Sequence, residues 1–171
     1  MEGNIILTSA HVVAGQSHIE VRKFGAAQKY EAHVLSLSYE SDLALLRVDD
    51  DSFFGGVSVL RMGKVPGNCE IVKILGFPGG ENLIITNGTF AEINHQYYQF
   101  SGSYLPAGEI RAIIRPGNSG GPVVIDDKVV GIVMQISRND DICHMIPVNI
   151  IHQFIEDSKV SYHSWPDIPF L

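Results

Sequence analysis

The sequence is poor in cysteine, in positive charge and in long apolar runs, and each shortage excludes something. Its two cysteines, Cys69 and Cys143, form no CxxC and cannot build a four-thiolate metal site. Both are expected as small buried apolar residues rather than as a disulfide. Twelve Lys and Arg stand against nineteen Asp and Glu, a net charge of -7, and no basic run occurs. Nucleic acid is therefore not the expected partner. No apolar stretch approaches the roughly 18 residues of a membrane span. Met1 to Ala10 lacks the basic start and long apolar stretch of a signal peptide. Repeats and low-complexity segments are also missing, and nothing in the pattern calls for a metal or cofactor.

What is present is a chain of 171 residues, 45% hydrophobic and 18% charged, which suits one folded domain. Its 17 glycines are spread among short apolar runs separated by Asp, Asn and Ser clusters, the texture of an all-β barrel or sandwich. Strands are predicted at 5–7, 17–23, 30–37, 43–48, 57–62, 70–76, 83–93, 97–100, 110–114, 122–125, 129–135 and 143–146. Asp126, Asp127 and Lys128 separate two Val-rich runs and read as a hairpin turn. One helix is predicted over 149–157, where Ile151, Phe154 and Ile155 fall at i, i+3 and i+4. Beyond Ser158 the periodicity stops, and 159–171 reads as a linker toward a further domain that is not present.

The segment Arg115 to Pro122 crowds glycines on both sides of Ser119. A nucleophile needs that: its hydroxyl must stand on a tight turn, and neighbouring N–H groups must converge where an oxyanion can sit. Gly117, Ser119 and Gly121 also fit the G-x-S-x-G elbow. That elbow demands a helix next, with the acid and histidine downstream. A Val-rich strand follows instead, so the α/β-hydrolase reading fails. Upstream, His11 follows an apolar strand and is preceded by the small residues Ser9 and Ala10. The other six histidines carry no such context. Asp42 stands where a polar loop becomes the apolar run Leu43 to Val48, a place for a half-desolvated carboxylate that holds an imidazole in one tautomer. Glu40, with its longer side chain, would hold it less firmly. The order His11, Asp42, Ser119 is that of chymotrypsin.

These blocks, with Leu75 to Pro78, Val130 to Ile132 and Ile146-Pro147, resemble the HtrA/Deg branch of the chymotrypsin-like serine proteases over nearly the whole chain. The resemblance implies an all-β fold of two six-stranded antiparallel β-barrels with one C-terminal helix. Barrel one would span about 1–65, barrel two about 66–147 and the helix about 148–158, making 1–158 the protease domain. Only Met1 to Asn4 precede the first strand, so barrel one is expected to be incomplete. The resemblance further implies peptide-bond hydrolysis through an acyl-enzyme. Ser119 would be the nucleophile, His11 the general base and Asp42 its orienting acid. The backbone of Gly117, Asn118 and Ser119 would form the oxyanion hole. Ile114 and Ile132 match positions bordering the substrate pocket, which implies small or medium apolar residues before the cut. Arg111 and Arg115 are unexpected cations near that cleft. The expected partners are polypeptides, unfolded or damaged. The family forms trimers largely through an N-terminal region that this chain lacks, which counts against a trimer here. An organelle or the nucleus is the compartment the likeness suggests. The alternative is a catalytically impaired barrel that binds extended peptide without cutting it.

Overall fold

Ile5–Ser9 (β1) and Leu43–Val48 (β4) explain why their stretches are almost uninterruptedly apolar. They pair antiparallel, and both of their faces are covered. Ile5, Leu7, Leu43 and Leu45 point one way, into a core shared with the second half of the molecule. Ile6, Ala44, Leu46 and Val48 point the other way, into a core with Val21, Tyr30 and Phe53. A strand alternates faces at every residue, so burial on both sides turns alternation into a continuous run. The computed structural model describes residues 5–80, 82–136, 141–158 and 167–168.

The first sheet has four strands in the order β1-β4-β3-β2, with Ile19–Arg22 as β2 and Lys29–Ser38 as β3. Among the described residues it curls without closing, so the expected incomplete first barrel is a half-barrel with β1 and β2 at its edges. The short helix α1 (Ala10–Val13) leaves the end of β1. The second sheet contains β6 (Ile71–Gly76), β7 (Ile84–Tyr98), β8 (Ser103–Arg111), β9 (Pro122–Ile125), β10 (Lys128–Ile136) and β11 (Ile142–Pro147). The order β11-β8-β7-β6-β9-β10, with β10 pairing back onto β11, closes these six strands into a ring. Its interior holds Val72, Ile74, Phe90, Ile110, Val123 and Met145. Leu60–Met62 (β5) adds in parallel to β10, and Asp167–Ile168 (β12) adds to β5. Helix α2 (Val148–Asp157) lays Ile151, Phe154 and Ile155 on the core between the halves, the spacing expected of it.

Three local readings change. The stretches 83–93 and 97–100 are one long strand, β7, carrying a register shift between Phe90 and Ile93. That bulge switches the faces and hides the alternation. Strand β8 starts at Ser103 and ends at Arg111, so it overlaps 110–114 only at its end. Its first residues, Ser103 and Tyr104, are exposed and pair with the end of β7 in a hairpin. The two cysteines part company: Cys143 is buried, whereas Cys69 is exposed at a positive φ of 66°. The turn at Asp126-Asp127 is as expected. Both residues have positive φ and Ile125 pairs with Lys128, a two-residue hairpin with the hand the strand twist favours.

Candidate active site

The half-barrel supplies two of the residues singled out above, and the ring supplies the third. Asp42 opens β4 at a φ of 54°, a left-handed conformation that Asp tolerates better than most side chains. That bend turns both its groups onto α1. Its carbonyl accepts from the Ala10 N–H at 3.0 Å, and its carboxylate Oδ1 accepts from the His11 N–H at 2.9 Å. Two N–H groups of the first helical turn are thus satisfied from another strand, while Ser9 makes no side-chain cap. The same carboxylate takes the imidazole. His11 Nδ1 lies 2.8 Å from Oδ2 and 3.1 Å from Oδ1. Asp42 is 1% exposed, so its charge is held by hydrogen bonds rather than by water. Among the described residues, the hydrogen bonds of the His11 ring are all made at Nδ1 and none at Nε2.

Ser119 sits on the loop between β8 and β9, and the close fit of this loop against β1 and β6 accounts for Gly120 and Gly121. An added Cβ at Gly120 would run into Thr8 Oγ1, and one at Gly121 into the Leu75 carbonyl oxygen. Gly120 N–H donates to Val133 O at 3.0 Å, and Val133 N–H donates to Gly121 O at 2.9 Å. The Ser9 hydroxyl donates to the same Val133 carbonyl at 3.2 Å. Gly117 adopts a φ of 99°. Asn118 is 3% exposed; its N–H and its side-chain amide both donate to Arg115 O, at 3.3 and 3.0 Å. Gly76 leaves room for that side chain, since a Cβ there would collide with Asn118 Oδ1. Asn118 N–H is therefore turned inward. The N–H groups of Gly117 and Ser119 have no acceptor among the described residues.

His11, Gly117 and Ser119 line one cleft of about 640 Å³ between the two halves. Its other walls include Tyr98, Phe100, Met134, Gln135, Ile136 and His144. Ile114 and Ile132 are not among them: Ile114 packs inside the ring and Ile132 in the core between the halves. Arg111 and Arg115 are exposed and form no ion pair among the described residues. Sequence reasoning passed over three of the cleft residues. Tyr98 is 1% exposed, with its hydroxyl 3.0 Å from His11 Nδ1. Burial and the Asp42 charge push its phenol well above the ordinary range. Phe100 stacks on the His11 ring, centroids 5.0 Å apart. His144 is 6% exposed with no partner for Nδ1 among the described residues, and burial lowers its pKa although Glu109 opposes the shift.

A half-barrel and a closed ring with a histidine–aspartate pair facing a glycine-bound serine across the seam define a class of protein, the chymotrypsin-like hydrolases. The trypsin-like peptidase domain model matches residues 1–132, so the chain belongs to that family. It is 38% identical over 157 residues to protease Do-like 4, mitochondrial, of Arabidopsis thaliana, covering 91% of this chain and 30% of the relative. It is also 38% identical over 159 residues to the serine protease DegP homolog of Plasmodium falciparum, covering 92% of this chain and 18% of the relative. The chain thus spans under a third of the length of these two proteins. The Rv3671c protease of M. tuberculosis in its active form aligns at a TM-score of 0.80 and 22% identity, over 95% of this chain and 72% of that one. The HtrA-type protease AlgW with tripeptide aligns at 0.79 and 23%, over 92% and 52%. These two likenesses are of fold.

Proposed function

We infer that the domain is a serine endopeptidase acting through Ser119, His11 and Asp42. The observation that carries this reading is the His11 Nδ1–Asp42 Oδ2 bond of 2.8 Å in the cleft that also holds Ser119. In the proposed reaction the Ser119 hydroxyl attacks a peptide carbonyl while His11 Nε2 takes its proton. Asp42 keeps the Nδ1 proton in place and stabilises the imidazolium. The oxyanion sits between the N–H groups of Gly117 and Ser119, with the Asn118 peptide bridging them. One such donor is worth about 3 kcal/mol in the transition state. His11 returns its proton to the leaving amine, and water repeats the sequence on the acyl-enzyme. The apolar cleft walls Met134 and Ile136 support an apolar side chain before the cut. Substrates are extended or unfolded polypeptides. Since relatives are named as mitochondrial, an organelle is the compartment we favour. No helix is long and apolar enough to cross a membrane among the described residues.

A fluorophosphonate probe tests the reading. Labelling of the wild-type chain that vanishes in Ser119→Ala is expected, and a folded wild-type chain that stays unlabelled would refute it. The unclosed four-stranded sheet favours one other reading, a domain that holds extended peptide without cutting it. Peptide binding without labelling would establish that instead.

A further inference from the structure

His11 and Asp42 both belong to the half-barrel, yet their closest extra neighbours come from the ring. Tyr98 is the last residue of β7, 87 positions from His11 in the chain. Its pairing with Ser103 and the bond from Gly102 N–H to Tyr98 O (2.9 Å) fix the hairpin end. From there the phenol crosses the seam to within 3.0 Å of His11 Nδ1, while its ring stands edge-on to the imidazole. Phe100, in the same turn, stacks on the imidazole with an interplanar angle of 28° and also touches Tyr98, ring centroids 5.7 Å apart.

The proton inventory decides what the phenol does. A carboxylate only accepts, so Nδ1 is the donor of the His11–Asp42 pair, with its one hydrogen shared toward Asp42 Oδ2 at 2.8 Å. The phenol oxygen facing Nδ1 can share that hydrogen only as an acceptor, so its own proton is free to turn to the Asp42 carboxylate. Its lost ionisation agrees: burial first and Asp42 second keep the proton on the oxygen. Such a hydroxyl satisfies both partners of the pair at once and disfavours the flipped ring, in which a carbon would face it. Phe100 limits the remaining freedom, and its face suits the imidazolium that forms during the reaction.

We propose that Tyr98 is a positioning residue for the His11–Asp42 pair, reaching from the ring to lock the imidazole with Nδ1–H on Asp42 and Nε2 toward Ser119, with Phe100 as its stacking support. The proposal rests on the protease reading. The titratable groups around His11 are Asp42 on β4, Tyr98 on β7 and, lining the same cleft, Tyr97 on β7 and His144 on β11.

The test is Tyr98→Phe, which keeps the buried ring, alongside Phe100→Ala, which alters an exposed residue. The kcat of Tyr98→Phe on a peptide substrate is expected to fall about tenfold with KM unchanged, roughly the effect of one hydrogen bond. Phe100→Ala loses kcat by a few-fold in the same direction. NMR spectra of the chain labelled with ¹⁵N-histidine read the same event without turnover. Wild-type His11 should hold the Nδ1–H tautomer, and Tyr98→Phe should mix tautomers. A Tyr98→Phe chain whose kcat and histidine spectra superimpose on wild type overturns the proposal, whether or not Ser119 takes the fluorophosphonate.

Discussion

Replacing Asp42 by Asn removes one charge and almost no volume, and the structure dictates which way the new amide must face. Oδ1 of Asp42 accepts from the His11 main-chain N–H at 2.9 Å. The Asn oxygen must keep that place, because an NH₂ there would confront a donor. The NH₂ then takes the position of Oδ2, which lies 2.8 Å from His11 Nδ1. A donor now meets Nδ1–H, and the ring escapes by moving its proton to Nε2, so that Nδ1 accepts. The nitrogen that should take the Ser119 proton is then already protonated. The expected loss is roughly a thousand- to ten-thousand-fold in kcat, about 4 to 5 kcal/mol of barrier. Stability should suffer far less, about 1 to 2 kcal/mol for the weakened charge-assisted bonds. Asn also tolerates the φ of 54° at this site. Peptide turnover, urea denaturation and ¹⁵N-histidine spectra of Asp42→Asn separate these effects. A folded Asp42→Asn chain that keeps about a tenth of wild-type kcat would refute the reasoning, as would one whose His11 stays in the Nδ1–H tautomer.

Three further outcomes are expected. Gly76→Ala drives a methyl into Asn118 Oδ1 and should dislodge the Asn118–Arg115 bonds of 3.0 and 3.3 Å. Fluorophosphonate labelling of Ser119 should slow at least about tenfold, and an unchanged labelling rate would show that Asn118 does not hold the loop. Burial pushes the Cys143 thiol up to about 12, so a maleimide at neutral pH should modify exposed Cys69 and spare Cys143 until the chain is unfolded. Mass spectrometry of the adducts checks this, and equal modification in the folded state contradicts the buried placement. His144 has a lowered pKa in the fold, so the unfolded chain takes up its proton first. Its contribution is full above the unfolded value of 6.5 and is lost as pH falls from there through the lower folded value. Urea midpoints measured from about pH 7 to about pH 5 should therefore fall less steeply in His144→Phe than in wild type; parallel curves count against it.

What could be read from the sequence was what local chemistry writes in consecutive residues. The glycines around Ser119 are there because backbone atoms of β1 and β6 crowd the loop, and crowding of that kind leaves a contiguous signature. The apolar runs of β1 and β4 announced burial on both faces, and the i, i+3, i+4 set announced α2. Tyr98, Phe100 and His144 left no such trace. They reach the cleft only because β7 and β11 close the ring and their ends face the half-barrel. The placement of Ile114 and Ile132 has a related cause. Val130 and Ile132 are two apart on β10 and should share a face, yet Val130 packs inside the ring and Ile132 between the halves. The register shift between Val129 and Gly131 swaps the faces, and a second between Val133 and Gln135 swaps them again. Parity counted along such a strand cannot say which residue meets the substrate. The shift between Val133 and Gln135 falls where Met134, Gln135 and Ile136 come in succession to the cleft wall; a regular strand would present every second residue. The specificity of the cleft should accordingly respond to substitution at Met134 and Ile136 and stay indifferent to Ile132→Val.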